Sequence, residues 1–282
     1  MKKVWITTDC TCDLSEDLLE KYGLEVIYFY ITTDHGSFKD LEEITANNVV
    51  EYFNNGGKRI ATAAPEVYEY VEFFESMLQK YEKIVHITIS AKHSKSYENA
   101  VAASKKFCGR VTVFDSGHLS TGIAHIALRA LELAKEGKQV EEIVPELERM
   151  KNKVSTSFVV EDIDYLYRTG RVNKFIKDIC DTLKIHPVIG MKDGKIRVTR
   201  VYIGDYKKTV LRYVRKELGQ PEKIKKDRVF IVSSTCPLKI YNLAKKKIKE
   251  CGVFEEILET KASATITSNC GANAFAVMYV RE

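Results

Sequence analysis

The stretch KIVHITISAKHSKSYENAVAASKKF (83–107) decides how the chain folds. Its opening, 83–89, is apolar and β-branched and reads as a buried strand. Its close, 95–107, carries apolar residues at helical spacing, and SAKHS between the two is a polar turn. Strand, turn and helix in that order form most of a βαβ unit, so the strand needs parallel neighbours.

Such neighbours stand on both sides in sequence. VWITT (4–8), LEVIYFYI (24–31) and VTVF (111–114) read as strands, and 65–81, 120–137 and 140–153 read as helices. This alternation predicts a mostly parallel sheet covered by helices over residues 1–153. From 154 the pattern changes. KIHPVIGM (184–191) and GKIRVTRVYI (194–203) are consecutive strands, and the Asp-Gly pair between them predicts a tight hairpin. Helices around 205–218 and 237–250 and strands at 229–234, 254–260 and 264–267 complete an α+β domain with a mixed sheet over 154–282. The expected fold class is therefore α/β in two domains.

Composition narrows the function. The chain has 282 residues, 45% of them hydrophobic, and a net charge of +5, with basic residues spread over short runs such as EKIKKDR (222–228). Such runs are expected as solvated faces, so neither nucleic acid nor an acidic partner is implied. KKTVLRYVRKELG (207–219) is basic, but Val210, Leu211, Val214 and Leu218 form a core-facing stripe. MKK runs straight into a strand with no signal-peptide core, and no apolar stretch reaches membrane-spanning length, so a cytoplasmic protein is expected. Seven irregularly spaced cysteines suit a reducing compartment. Cys10 and Cys12 lack the second ligand pair a structural metal site needs, so no metal and no cofactor are expected.

In a parallel α/β sheet, ligands gather beyond the carboxyl ends of the strands. Four segments at that edge, DCTCDLS (9–15), RIATAAP (59–65), SAKHSKS (90–96) and DSGHLSTG (115–122), are rich in hydroxyls. None contains a Walker loop or a dinucleotide glycine pattern. Any one hydroxyl is explained as a helix cap. Four groups together suit a small anion such as a carboxylate.

These same segments carry a family resemblance. TTDCTCDL resembles the T-D-S-x-x-D-L opening of the DegV family, and TAAP (62–65) its T-S-Q-P. ISAKHSKSYENA (89–100), FDSGHLSTG (114–122), YLYRTGRV (165–172) and SNCGANAFAV (268–277) are similar to four further DegV motifs, in the family's order. The resemblance implies a protein that buries a long-chain fatty acid such as palmitate between or beneath its domains, with a role in lipid transport or fatty acid metabolism. It also implies a carrier with no catalytic residues, which presents the acid to a separate ATP-dependent kinase partner. By position, Thr62 and Ser94 match the two hydroxyls that bind the carboxylate, and Arg171 matches the arginine of the glycine-glycine-arginine motif. Asn269, Arg171, Ser116 and Asp9 are further candidates for the head group or its rim. Asn269 stands where the family carries His; its amide donates a hydrogen bond but does not titrate. The rival reading is a serine or cysteine hydrolase using Ser94 or Cys10, with His93 or His118 as base and Asp115 as orienter. Against it, the chain has no G-x-S-x-G elbow.

Overall fold

The computed structural model describes residues 2–161, 163–168 and 173–282. Along the first half run β1 (Lys2–Asp9), α1 (Glu16–Tyr22), β2 (Glu25–Ile27), β3 (Tyr30–Thr33), β4 (Gly36–Lys39) and α2 (Ala46–Asn54). These are followed by β5 (Ala61–Ala63), α3 (Val67–Leu78), β6 (Tyr81–Thr88), α4 (Ser96–Ser104), β7 (Val111–Asp115), α5 (Thr121–Lys135) and α6 (Val140–Lys151). The second half contains β8 (Val154–Ser155), β9 (Ser157–Val159), α7 (Asp164–Arg168), α8 (Lys174–Thr182), β10 (Ile185–Lys192), β11 (Lys195–Ile203) and α9 (Tyr206–Glu217). It ends with β12 (Ile224–Ser233), α10 (Leu238–Glu250), β13 (Glu256–Lys261), α11 (Ala264–Cys270) and β14 (Phe275–Arg281).

The first sheet has the order β2-β1-β6-β7, all parallel. A small antiparallel sheet, β4-β3-β5, stands beside it. The third sheet, β11-β10-β9-β14-β12-β13 with β8 on β14, is mixed, since β12 and β13 are parallel while its other pairs are antiparallel. Among the described residues, all strands of the first two sheets precede residue 154, and all strands of the third begin at or after it.

Helix α5 joins these layers. Eleven of its fifteen residues are buried, and it packs on β1 and β6 on one side and on β14 and β8 on the other. A helix apolar nearly all round belongs inside a protein. Gly122 permits this contact, because a Cβ there would collide with Thr156 Oγ1. The largest apolar cluster accordingly runs through both halves, from Ile6 and Val85 through Ile123 and Ile126 to Phe230 and Val280.

Three expectations from the sequence need correction. LEVIYFYI (24–31) is not one strand: β2 ends at Ile27 in the parallel sheet and β3 begins at Tyr30 in the small one. Residues 264–267 are the start of helix α11, not a strand. The β-branched ATIT is overruled by capping. Ser263 Oγ accepts the Ile266 amide, and Asp40 accepts the amides of Ala264 and Thr265, both at 2.8 Å. β14 was not anticipated as a strand at all. The 193–194 hairpin is as expected, with positive φ at both Asp193 (52°) and Gly194 (72°), the geometry a two-residue turn requires.

Candidate functional site

Three carboxylates at strand ends organise the region that holds the expected site. At the end of β1, Asp9 accepts the Ile89 amide at 2.9 Å, the Ser96 hydroxyl at 3.0 Å and the Thr11 hydroxyl. At the end of β7, Asp115 accepts the amides of Ala91 (3.1 Å) and Gly117 (2.9 Å). The loop between β6 and α4 is thus tied down at both ends, and Ser94 sits on it, its Oγ accepting the Ser96 amide at 3.1 Å. On the far side Asp40 holds the start of α11, and with it Asn269, whose Nδ2 donates to Thr265 O at 2.8 Å. Thr62 comes from β5, in register with Ile31 of β3.

These pieces enclose a cavity of about 580 Å³ whose wall includes Thr62, Ser94, Asn269 and Thr265. The volume lies within the usual range for small-molecule sites. Lys92, Lys95, Glu66 and Glu98 stand around it, giving it charges of both signs. Beside it, a mostly apolar arm of about 190 Å³ is lined by Phe158, Leu166, Ile189, Cys270 and the exposed Val198, with Arg197 also on its wall. Leu119, Ile196, Ile266 and Asn269 line both spaces, so the arm and the polar chamber lie side by side with these four residues between them. The tip of the β10–β11 hairpin roofs this junction. Ser90 Oγ donates to Gly194 O (2.7 Å), Lys92 Nζ to Asp193 O (2.5 Å), and the Ile196 amide to His93 Nε2 (3.1 Å).

Of the expected site residues, Thr62, Ser94 and Asn269 therefore share one cavity wall. Asp9 and Ser116 do not. Asp9 is fully buried and its carboxylate is spent on the β6–α4 loop, so it positions that loop instead of forming a rim. Ser116 is also fully buried; its hydroxyl accepts the His118 amide at 3.1 Å. Arg171 lies outside the described residues. Thr265 was missed by sequence reasoning, since nothing in ATIT shows that this residue lines the cavity with its hydroxyl buried behind the wall.

Electrostatics separate the carboxylates and thiols from the hydroxyls. Burial raises the pKa of Asp9 and of Asp40, and pushes that of Asp13 up to about 7. Burial, reinforced by Asp40, holds the Cys10 thiol well above its usual range, the opposite of what a nucleophile needs. Cys10 Sγ instead accepts the Phe29 amide at 3.2 Å. Among the described residues no imidazole is hydrogen-bonded to Ser94. His93 accepts from Ile196, and His118 bonds Thr156 Oγ1 (2.9 Å) and Lys151 O (2.8 Å). The Cys10 thiol donates to the Asp40 carboxylate at 3.9 Å, and among the described residues no imidazole is hydrogen-bonded to it. Also among the described residues, no group of His, Cys, Asp or Glu is arranged to hold a metal ion, and no helix is long and apolar enough to cross a membrane.

Comparison with known proteins agrees with this architecture. A DegV domain-containing protein from Caldanaerobacter subterraneus is 32% identical over 199 residues, covering 70% of this chain and 71% of the relative. A DegV family protein from Thermus thermophilus, described as binding fatty acid, superposes with a TM-score of 0.90 at 26% identity over 99% of this chain and all of that one. A Thermotoga maritima protein, described as revealing a fatty acid binding function, superposes at 0.83 with 25% identity, over 99% of this chain and all of that one. The family model described as "Uncharacterised protein, DegV family" matches residues 3–282, and this chain belongs to the DegV family.

Proposed function

We propose that the chain binds one long-chain fatty acid, with the carboxylate at Thr62 and Ser94, Asn269 beside them and the end of the tail in the apolar arm. The observation that carries this reading is a hydroxyl-lined chamber set directly against an apolar arm, with Leu119, Ile196, Ile266 and Asn269 common to the walls of both. The fatty acid binding described for the Thermus and Thermotoga relatives supports it. The forces divide accordingly. Burying about fifteen methylenes at ~0.8 kcal/mol each supplies on the order of 10 kcal/mol before costs, while a hydrogen bond to a charged group nets about 1.5–3 kcal/mol. The tail supplies affinity and the hydroxyls supply orientation.

On this reading residues 1–153 and 154–282 act as two domains with the ligand between them, in the cytoplasm. The protein is a carrier that performs no chemistry; a kinase partner that phosphorylates the bound carboxylate would bring its own nucleotide and magnesium. Arg171 remains a proposed head-group residue. Calorimetric titration with palmitate and with its methyl ester tests the division of roles. Tight binding of the acid and much weaker binding of the ester is expected; equal binding would place no carboxylate at the hydroxyls.

A further inference from the structure

The apolar arm does not end in a solid wall. Behind it lies a separate void of about 20 Å³, lined by Val232, Ala262, Ala274, Ala276 and Met278. The volume would admit a single water, but the void's wall is largely apolar, and such voids stay dry. Four residues face both spaces: Leu119, Phe158, Ile266 and Cys270. Leu119 and Ile266 also line the polar chamber, so they run along the path, whereas Phe158 and Cys270 stand only between arm and void. Phe158 is the larger of the two. Its ring is nearly buried, and its direct neighbour across the β9–β14 pair is Ala276, which leaves room behind it.

We propose that Phe158 is the partition that ends the acyl tail and sets the longest acid the chain accepts. The inference rests on the fatty acid reading above and adds the residue that determines length. An engineered apolar cavity of ~150 Å³ holds benzene, so an arm of about 190 Å³ takes only the last several carbons of a tail. A longer tail must displace the Phe158 ring toward Ala276.

The test is a series of saturated straight-chain acids, from about ten to about twenty carbons, bound to wild type, Phe158→Ala, the milder Phe158→Leu, Ala276→Leu and the Phe158→Ala/Ala276→Leu pair. For wild type, affinity should rise about fourfold per methylene, the equivalent of ~0.8 kcal/mol, and then fall beyond one chain length. Phe158→Ala should move that limit upward by about two carbons or more, and Phe158→Leu by less, keeping the test available should the alanine variant not fold. Ala276→Leu should leave the wild-type limit in place and cancel the gain in the pair. A limit unchanged in folded Phe158 variants, or a wild type with no limit, overturns the partition alone, because the fatty acid is still bound. A wild type that binds no acid of any length overturns the fatty acid reading and the partition with it.

Discussion

Two sets of polar side chains collect at the same edge of the parallel sheet and meet opposite fates. Asp9, Asp13 and Asp40 are sealed inside, and each carboxylate is consumed by backbone amides or hydroxyls of another segment. Thr62 and Ser94 remain on a cavity wall, where a ligand can reach them. The difference lies in chemistry. A buried carboxylate is tolerable only when several donors surround it, so it becomes a joint between segments. A hydroxyl costs less to leave partly satisfied and can donate to an arriving anion. The carboxylates hold the structure and the hydroxyls face the ligand.

Breaking a joint should have the largest effect. Asp40→Ala orphans the amides of Ala264 and Thr265, and at about 2 kcal/mol for each buried donor the variant should lose about 4 kcal/mol of unfolding free energy in denaturant titrations. Removing the wall hydroxyls should do the reverse. Thr62→Ala with Ser94→Ala should cost only about 1 kcal/mol of stability, for the Ser96 amide that Ser94 Oγ accepts, and lose about 3 kcal/mol of fatty acid affinity, roughly a hundredfold.

Acidity gives a graded version of the same contrast. The Asp13 pKa is raised from 3.8 to about 7, so the folded state binds its proton more tightly than the unfolded state. Its contribution to stability is complete below about pH 4 and is lost as the pH rises through about 7. Asp9 and Asp40, also raised by burial, act in the same direction. Unfolding midpoints should therefore fall across that window, and Asp13→Asn should flatten the slope. The smallest effect is expected at Thr265, which lines the cavity while its hydroxyl is buried beneath the wall, so Thr265→Val keeps the wall at nearly constant shape. Titration with fatty acid should show a change in affinity of less than about 0.5 kcal/mol.

The sequence made the joints harder to recognise than the wall. The hydroxyl loops were visible because strand ends followed by Ser, Thr and helix starts mark one edge of a parallel sheet, and Thr62 and Ser94 share a cavity. The Asp-Gly hairpin was visible because only a few residue pairs tolerate positive φ twice in succession. Burial is what a local pattern does not encode. Asp9 and Ser116 looked like rim residues until packing closed over them. ATIT looked like a strand because the Asp40 carboxylate that caps it as a helix lies 224 positions away. The apolar arm is assembled from β9, β10, β11, α7 and α11, so no single window of sequence contains it.

The central claim is that this chain carries a fatty acid by its hydroxyl wall, and native mass spectrometry of protein purified from cells tests it most directly. The account predicts an added mass that lipid analysis after denaturation identifies as a straight-chain acid, present on wild type and lost from the folded Thr62→Ala/Ser94→Ala variant. A wild-type protein that carries no lipid and takes up none when palmitate is supplied would contradict it.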